Sequence, residues 1–566
     1  MRVNYTKIMV AGALLSAGGM AYAIGGGEDS NNRPSAQPLL IPELPKTAPT
    51  IAPAREEVGD TGQNRAKASK KVEIERIEFS GNTVVDDQEL NDLARPYLNR
   101  TVSLDELEEL RKLVTHRYID KGYVTSGAVF PANALQGKTL SMRIVEGKLG
   151  EMRIEGEEWL REGYIKSRLI PDQDQPLNMN ELQNRFRLLL TDPLFDHMNG
   201  RLIPGQERGI SILDLEISRA TPYQISFLSN NYRTPSIGAE ALGGVGWVRN
   251  LTGLGDVADF SYMQSDGARQ YGGSWLMPIW DYGTKAYFMS SRSESEIIDP
   301  ELKRLDIRSE TFSVEGGLSQ LLIDNIGRRL MLSAGVGFKE NATTVLGRSF
   351  SFILGQRDGH TQVSFVRFSQ EYIERWSAQV LAFRSTFSAG LDSFGASEAS
   401  NPLNPSSDYF AWLGQGQYNW QLPYLNGVNL VMKGNLQLAN APLMPLERIA
   451  IGGRYTVRGY RENDLVKDNG YSGSVELHLP LIGTGKDYQF NLIPFFDYGA
   501  AWNHPDSVTP TTETAYLYSA GIGFQFKLPH VNSEFYWAEP LLAAASPGKG
   551  DLQDAGIHFQ VRLDAF

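Results

Sequence analysis

The side chains in this sequence that could carry acid–base or metal chemistry are seven histidines: His116, His197, His360, His478, His504, His530 and His558. They are scattered, and no two form an H-E-x-x-H pair or any comparable ligand spacing. The chain has no cysteine, which excludes a thiol nucleophile, a disulfide framework and a Cys-ligated metal. No G-x-S-x-G elbow or phosphate-cradling loop stands out, and Gly243-Gly244-Val245-Gly246 is a weak match that reads better as strand glycine. The sequence therefore points away from an enzyme and implies no metal and no cofactor. With 54 Lys and Arg against 66 Asp and Glu, the net charge is -12. Nucleic acid is thereby disfavoured as a partner, because phosphate contacts need clustered cations.

The elements that organise these residues begin with Arg2 and Lys7, an apolar stretch from Ile8 to Met20, and Ala21-Tyr22-Ala23. Together they read as a secretory signal over residues 1–23, with an A-x-A cleavage site and too short an apolar run for a membrane helix. Residues 24–70 hold Pro34, Pro38, Pro42, Pro45, Pro49 and Pro53 and end in a basic stretch. That proline density predicts an extended, PPII-like or disordered linker.

From Val72 the pattern changes. Val72, Ile74, Ile77 and Phe79 make a strand-like run, Asp86–Tyr97 reads as a helix, and Ser103-Leu104-Asp105-Glu106 is a capping box. It opens a helix whose Leu104, Leu107, Arg111, Val114 and Tyr118 are predicted to share a face. Strand-like Tyr123–Phe130 and Lys138–Glu146 follow, so residues 71–147 form one α+β module. The order then repeats over 148–220: a short strand, helices at Trp159–Leu169 and Asn180–Leu190, and strands at Asn199–Pro204 and Gly209–Ser218. In the last strand Ile210 and Ile212 give way to Leu215 and Ile217 after a one-residue slip. Tandem modules of this kind suit recognition better than catalysis.

Beyond Thr221 helical periodicity disappears. Leu381, Phe383, Phe387, Ala389 and Leu391 alternate with Ala382, Arg384, Thr386, Ser388 and Gly390, as lipid-facing and lumen-facing positions of a barrel strand do. Ile522, Phe524, Phe526 and Leu528 repeat the dyad, as do Ile557, Phe559, Val561 and Leu563. A soluble sandwich also alternates; the length of the pattern over 221–566, the preceding signal and the wealth of Tyr, Phe and Trp favour an outer-membrane β-barrel. At roughly 20 to 22 residues per membrane strand with its connection, the expectation is about 16 strands.

Ile451-Gly452-Gly453-Arg454-Tyr455-Thr456-Val457-Arg458-Gly459-Tyr460 contains a segment that resembles the VRGY motif of the outer-membrane insertase/transporter superfamily. Phe495-Phe496-Asp497-Tyr498-Gly499 resembles that superfamily's F-x-D-x-G motif. Asn250–Asp256 and Glu476–Pro480 also look like its patterns. Behind two modules that resemble polypeptide-transport-associated (POTRA) domains, these motifs identify the chain with the TpsB branch, the transporters of two-partner secretion.

The resemblance implies a transmembrane β-barrel of about 16 antiparallel strands behind two α+β POTRA-like domains. In it the loop residues Val457, Arg458, Gly459 and Tyr460 fold into the lumen and meet a wall motif of Phe495, Asp497 and Gly499, with Arg458 paired to Asp497. An arginine can hold a carboxylate bidentately, which lysine cannot. The implied cargo is an unfolded TpsA-like exoprotein, captured in the periplasm and driven outward by its own folding, since no nucleotide motif is present. Other implied partners are outer-membrane lipid and, during biogenesis, the barrel-assembly machinery, with which the aromatic C-terminus is compatible. Strand addition to an exposed module edge would capture the cargo. The candidate edges are Tyr123–Phe130, with Tyr123, Val124, Val129 and Phe130 as contacts, and Asn199–Pro204. Alternatives are a barrel-assembly factor of the same superfamily, a passive porin, and an outer-membrane hydrolase using a barrel Ser and His.

Overall fold

The computed structural model describes Leu39, Ile51–Pro53 and residues 71–565, apart from 157–158, 171, 281–282, 353–357, 394, 398–404, 426, 483–487, 508–512 and 545–549. The signal sequence, most of the proline-rich segment and Phe566 lie outside the described residues. Two compact bodies emerge, one containing the two modules and one containing residues 221–566.

In the first module, strands Lys71–Ile74 and Arg100–Ser103 pair with each other, while Arg76–Ser80, Thr139–Val145 and Gly127–Val129 form a sheet in that order. Helices Asp87–Ala94 and Leu104–Asp120 cover it. Ser103 and Glu106 make the reciprocal capping box, satisfying two backbone donors that have no partner within the helix. Leu107, Leu110, Val114 and Tyr118 of that helix are buried, but Leu104 is exposed. The buried stripe runs through Leu110 instead, since Leu104 is the first helical residue.

Glu146 ties the module together by accepting from Thr83 N (2.6 Å), Val84 N (3.1 Å), the Thr83 hydroxyl and the Tyr118 hydroxyl (3.0 Å). Burial pushes its carboxyl up, but those bonds outweigh it and hold the group below the usual carboxylate range.

The second module has the order strand Lys148–Glu155, helices Glu162–Leu169 and Met179–Leu189, strands Phe195–Pro204 and Ile210–Arg219. Leu182, Phe186 and Leu189 face the core. Along the last strand Ser211, Leu213, Leu215 and Ile217 alternate inward without a slip, so Ile210 and Ile212 face the other side. The two modules abut directly. The Asn178 side chain accepts from Asn180 N and Glu181 N at the helix start, and its amide donates to Lys121 O of the first module (3.0 Å).

The barrel closes with 16 antiparallel strands. We number them β1 Tyr223–Asn230, β2 Ala241–Arg249, β3 Val257–Gln264, β4 Ala268–Trp280, β5 Thr284–Glu296, β6 Arg308–Asp324, β7 Arg328–Val345 and β8 His360–Arg375. The second half comprises β9 Gln379–Leu391, β10 Phe410–Gln421, β11 Asn429–Ala439, β12 Asn469–Ile482, β13 Gln489–Trp502, β14 Ala515–Leu528, β15 Val531–Pro540 and β16 Ile557–Asp564. Apolar side chains such as Phe260, Trp275, Phe288, Phe383, Phe526 and Trp537 are exposed on the outer face, as a lipid-facing wall requires. Their neighbours in sequence point inward: Arg384 of β9 pairs with Glu371 of β8.

The wall strands differ in length, from 18 residues in β7 to eight in β1, β3 and β16, and the closing seam from Ser226–Asp564 to Asn230–Gln560 joins only five residue pairs. Leu39 is buried against Ile373 and Ala382, so one residue of the proline-rich segment touches the wall of β8 and β9. None of the described helices is long and apolar enough to cross a membrane.

Candidate functional site

Between β11 and β12 the chain does not turn back at once. Residues 440–468 fold inward, with a stem made by Ile449–Ile451 pairing antiparallel with Leu465–Lys467 and a tip at 452–464. An irregular segment in a barrel lumen has backbone groups and charges to satisfy, so it needs partners on the wall. The tip finds them.

Arg458 is 2% exposed. Its Nε and a terminal nitrogen each donate to one oxygen of Asp497 at 2.7 Å, and its backbone N–H donates to the same carboxylate at 3.1 Å. The same terminal nitrogen also lies 2.9 Å from Ser474 Oγ and 2.9 Å from Glu476 Oε1. The guanidinium plane lies 3.5 Å from the Phe495 ring centroid, a cation–π contact strengthened by exclusion of water. Strand register explains the convergence: on adjacent β12 and β13, Ser474 pairs with Asp497 and Glu476 with Phe495. Two acids facing one arginine would repel each other, and Lys433, 3.2 Å from Glu476, relieves that excess, while His478 Nε2 hydrogen-bonds the same carboxylate at 2.9 Å.

The flanking motif residues fit the arginine to this position. Val457 is fully buried with Ile449, Ile451, Leu465, Ala501 and Leu517. Gly459 has φ +90° and sits where a Cβ would lie 3.0 Å from Ala538 O, so its conformation and the close approach both call for glycine. Its N–H donates to His558 Nε2 at 3.4 Å. The Tyr460 hydroxyl lies 2.9 Å from Tyr518 O and 3.0 Å from Leu542 O, and accepts from Leu542 N. On the wall, a Cβ at Gly499 would come within 2.9 Å of Ile451 and Val457 side chains, so glycine there makes room for the loop. All seven loop and wall residues named from the resemblance therefore meet at one place.

Further ties of the tip were not evident in the sequence. Arg454 pairs with Glu534 of β15 (2.8 Å) and stacks on Tyr536, and Tyr232 donates to the same Glu534. Arg461 pairs with Asp554 (2.5 Å). Gln553, fully buried, accepts from Glu462 N and donates to Asn231 O and Arg233 O. Only one cue was available beforehand: a charged residue on a membrane strand must face the lumen, which marks Glu476 and Glu534 as inward without naming their partners.

The candidate capture edges look different from the expectation. In the first module the strand covers only Gly127–Val129; Tyr123 and Val124 precede it, Val124 in a turn, and Phe130 follows the strand. Its outer edge is covered by the neighbouring helix, because Ala128 N–H donates to the Thr115 hydroxyl (3.1 Å) and Arg111 donates to Ala128 O (3.2 Å). Strand addition at Tyr123, Val124, Val129 and Phe130 is thereby disfavoured. In the second module the strand Phe195–Pro204 includes the expected Asn199–Pro204, and its edge is occupied: Ile51–Pro53 lies parallel to it, with Ile51 opposite Gly200 and Pro53 opposite Leu202. Among the described residues no cluster of His, Asp and Glu has the geometry of a metal site.

Comparison with known proteins agrees with this architecture. The family described as haemolysin secretion/activation protein ShlB/FhaC/HecB matches residues 209–526, more than half of the chain, and a ShlB-type POTRA domain matches residues 72–147. The outer membrane transporter CdiB of Escherichia coli is 24% identical, over 95% of this chain and 91% of that one. The solved structure of CdiB from Escherichia coli has a TM-score of 0.69 at 21% identity, covering 89% of this chain and 93% of that chain. BamA from Haemophilus ducreyi, solved without its POTRA domains 1–3, shares the fold at a TM-score of 0.51 and 13% identity, over 88% of this chain and all of that one. A 16-stranded barrel, an inward loop locked to its wall, a POTRA domain and the family match together show that the chain belongs to the haemolysin secretion/activation protein family ShlB/FhaC/HecB, as a TpsB-type transporter of the outer membrane.

Proposed function

We propose that the modules stand in the periplasm, capture an unfolded TpsA-like exoprotein by strand addition, and pass it to the barrel, through which it leaves the cell. The observation that carries this reading is the strand Ile51–Pro53 on the edge of Phe195–Pro204. It supports an edge whose spacing and backbone groups can pair with an extended polypeptide. Main-chain bonds supply affinity at such an edge without demanding one sequence. Because the occupant is the chain's own segment, cargo must displace it, and the segment acts as a competitor that keeps the edge from pairing indiscriminately.

Arg458 and its wall partners then act as a latch: the inward loop holds the lumen shut at rest and moves when cargo arrives. The outward run of the cargo is driven by its folding outside. No catalytic step or cofactor enters this reading, and no nucleic acid. Lipid covers the apolar outer face, and the barrel-assembly machinery inserts the chain.

The test is a comparison of the secreted proteins and the outer-membrane proteins of the host with and without this chain. Loss of one large exoprotein from the medium, with membrane barrels unchanged, is the expected result. Unchanged secretion with depleted barrels would replace this reading by that of an assembly factor.

A further inference from the structure

The inward loop is held at a second place, on strands other than those that hold Arg458. Its upstream arm carries Glu447, 2% exposed at the side chain, which meets Lys339 Nζ of β7 at 2.8 Å and Arg367 of β8 at 2.9 Å. Arg367 also pairs with Glu315 of β6 (2.8 Å), which in turn accepts from the Tyr287 hydroxyl of β5, and the guanidinium stacks 3.8 Å from the Phe365 ring. Two acids and two bases make the cluster neutral as a unit. Beside it, Leu443 and Met444 are fully buried against Val363, Phe365, Tyr409 and Ala411. Gln437 of β11 donates to Glu447 O and Asp468 O, binding the two ends of the loop to each other.

The tip cluster lies on β12 and β13, and this one on β6, β7 and β8, with three strands between β8 and β12. They share no side chain, so either can break while the other holds. Breaking both at once would leave several buried charges without partners, which costs far more than releasing one.

We propose that Glu447 is a positioning residue: with Lys339 and Arg367 it forms a second latch that pins the upstream arm of the loop to β7 and β8. Release of Arg458 then swings the tip about this pin instead of expelling the loop, and the lumen closes again when the cargo has passed. The inference rests on the reading of the loop as a latch, but it is read from ion conductance without cargo, so it fails or stands separately from the secretion reading.

The test is the conductance of the purified full chain in planar bilayers, with heat-modifiable gel migration as the check of folding. E447Q is expected to raise the open fraction tenfold or more and to lower secretion in cells. The swap K339E/E447K restores two acids and two bases and is expected to return both readouts toward those of the unaltered chain. A folded E447Q that conducts and secretes normally would overturn the proposal, and so would a swap that rescues neither readout. Should E447Q fail to assemble, a swap that assembles and closes normally supports the pin; failure of both to assemble would make Glu447 a folding brace and overturn it.

Discussion

Arg458→Ala is expected to reduce secretion at least tenfold while the barrel still assembles. The substitution leaves Asp497 and Glu476 facing each other in a site from which water is excluded. Removing one partner of a buried pair costs about 3–5 kcal/mol, because the remaining charge is uncompensated. That cost falls on the closed position of the loop, so the resting lumen opens. Arg458→Lys is expected to fail almost as badly: a single ammonium cannot make the two parallel 2.7 Å bonds to Asp497. The check is the amount of cargo in the medium together with the conductance of the purified variants. Normal secretion by R458A would remove the latch from the account.

The second large effect is expected at Phe186, whose ring is fully buried in the second module against Leu182, Leu189 and Leu213. Truncating a buried Phe to Ala costs about 3–5 kcal/mol, a large part of the roughly 5–15 kcal/mol that holds a domain folded. Phe186→Ala should therefore loosen the sheet that presents Phe195–Pro204 and cut secretion several-fold. Unlike R458A it should leave conductance unaltered, since nothing at the tip cluster is touched. Chemical denaturation followed at the module, alongside the secretion assay, checks both halves of this expectation. Secretion at the normal level from a folded barrel with a melted second module would show that the module is dispensable.

The two variants also mark how much could be read from the sequence. Barrel strands were legible because the lipid and lumen faces alternate with a period of two, a local property; Phe383 outside and Arg384 inside is an example. Tertiary register was not legible. Glu476 meets Arg458 only because Glu476 and Phe495 are opposite one another, and Glu447 meets Lys339 across 108 residues of chain. The Tyr123–Phe130 edge misled because side chains of a helix, Thr115 and Arg111, occupy the backbone groups that a free edge would offer. Ile51–Pro53 was hidden for a different reason: a proline-rich stretch carries no strand pattern, yet three residues of it pair with an edge that supplies the register. In the last strand of the second module burial follows Ser211, Leu213, Leu215 and Ile217, so Ile210 and Ile212 do not mark the core face and the alternation needs no slip.

The central claim is that an exported polypeptide adds itself to the edge of Phe195–Pro204 on its way through the barrel. A photo-crosslinking amino acid at Arg201, an exposed position on that edge opposite Ala52, tests it in living cells. Irradiation during secretion should link this chain to the same polypeptide whose appearance in the medium depends on it. Adducts with outer-membrane barrels instead, or no adduct at all while that polypeptide is still secreted, would contradict the account.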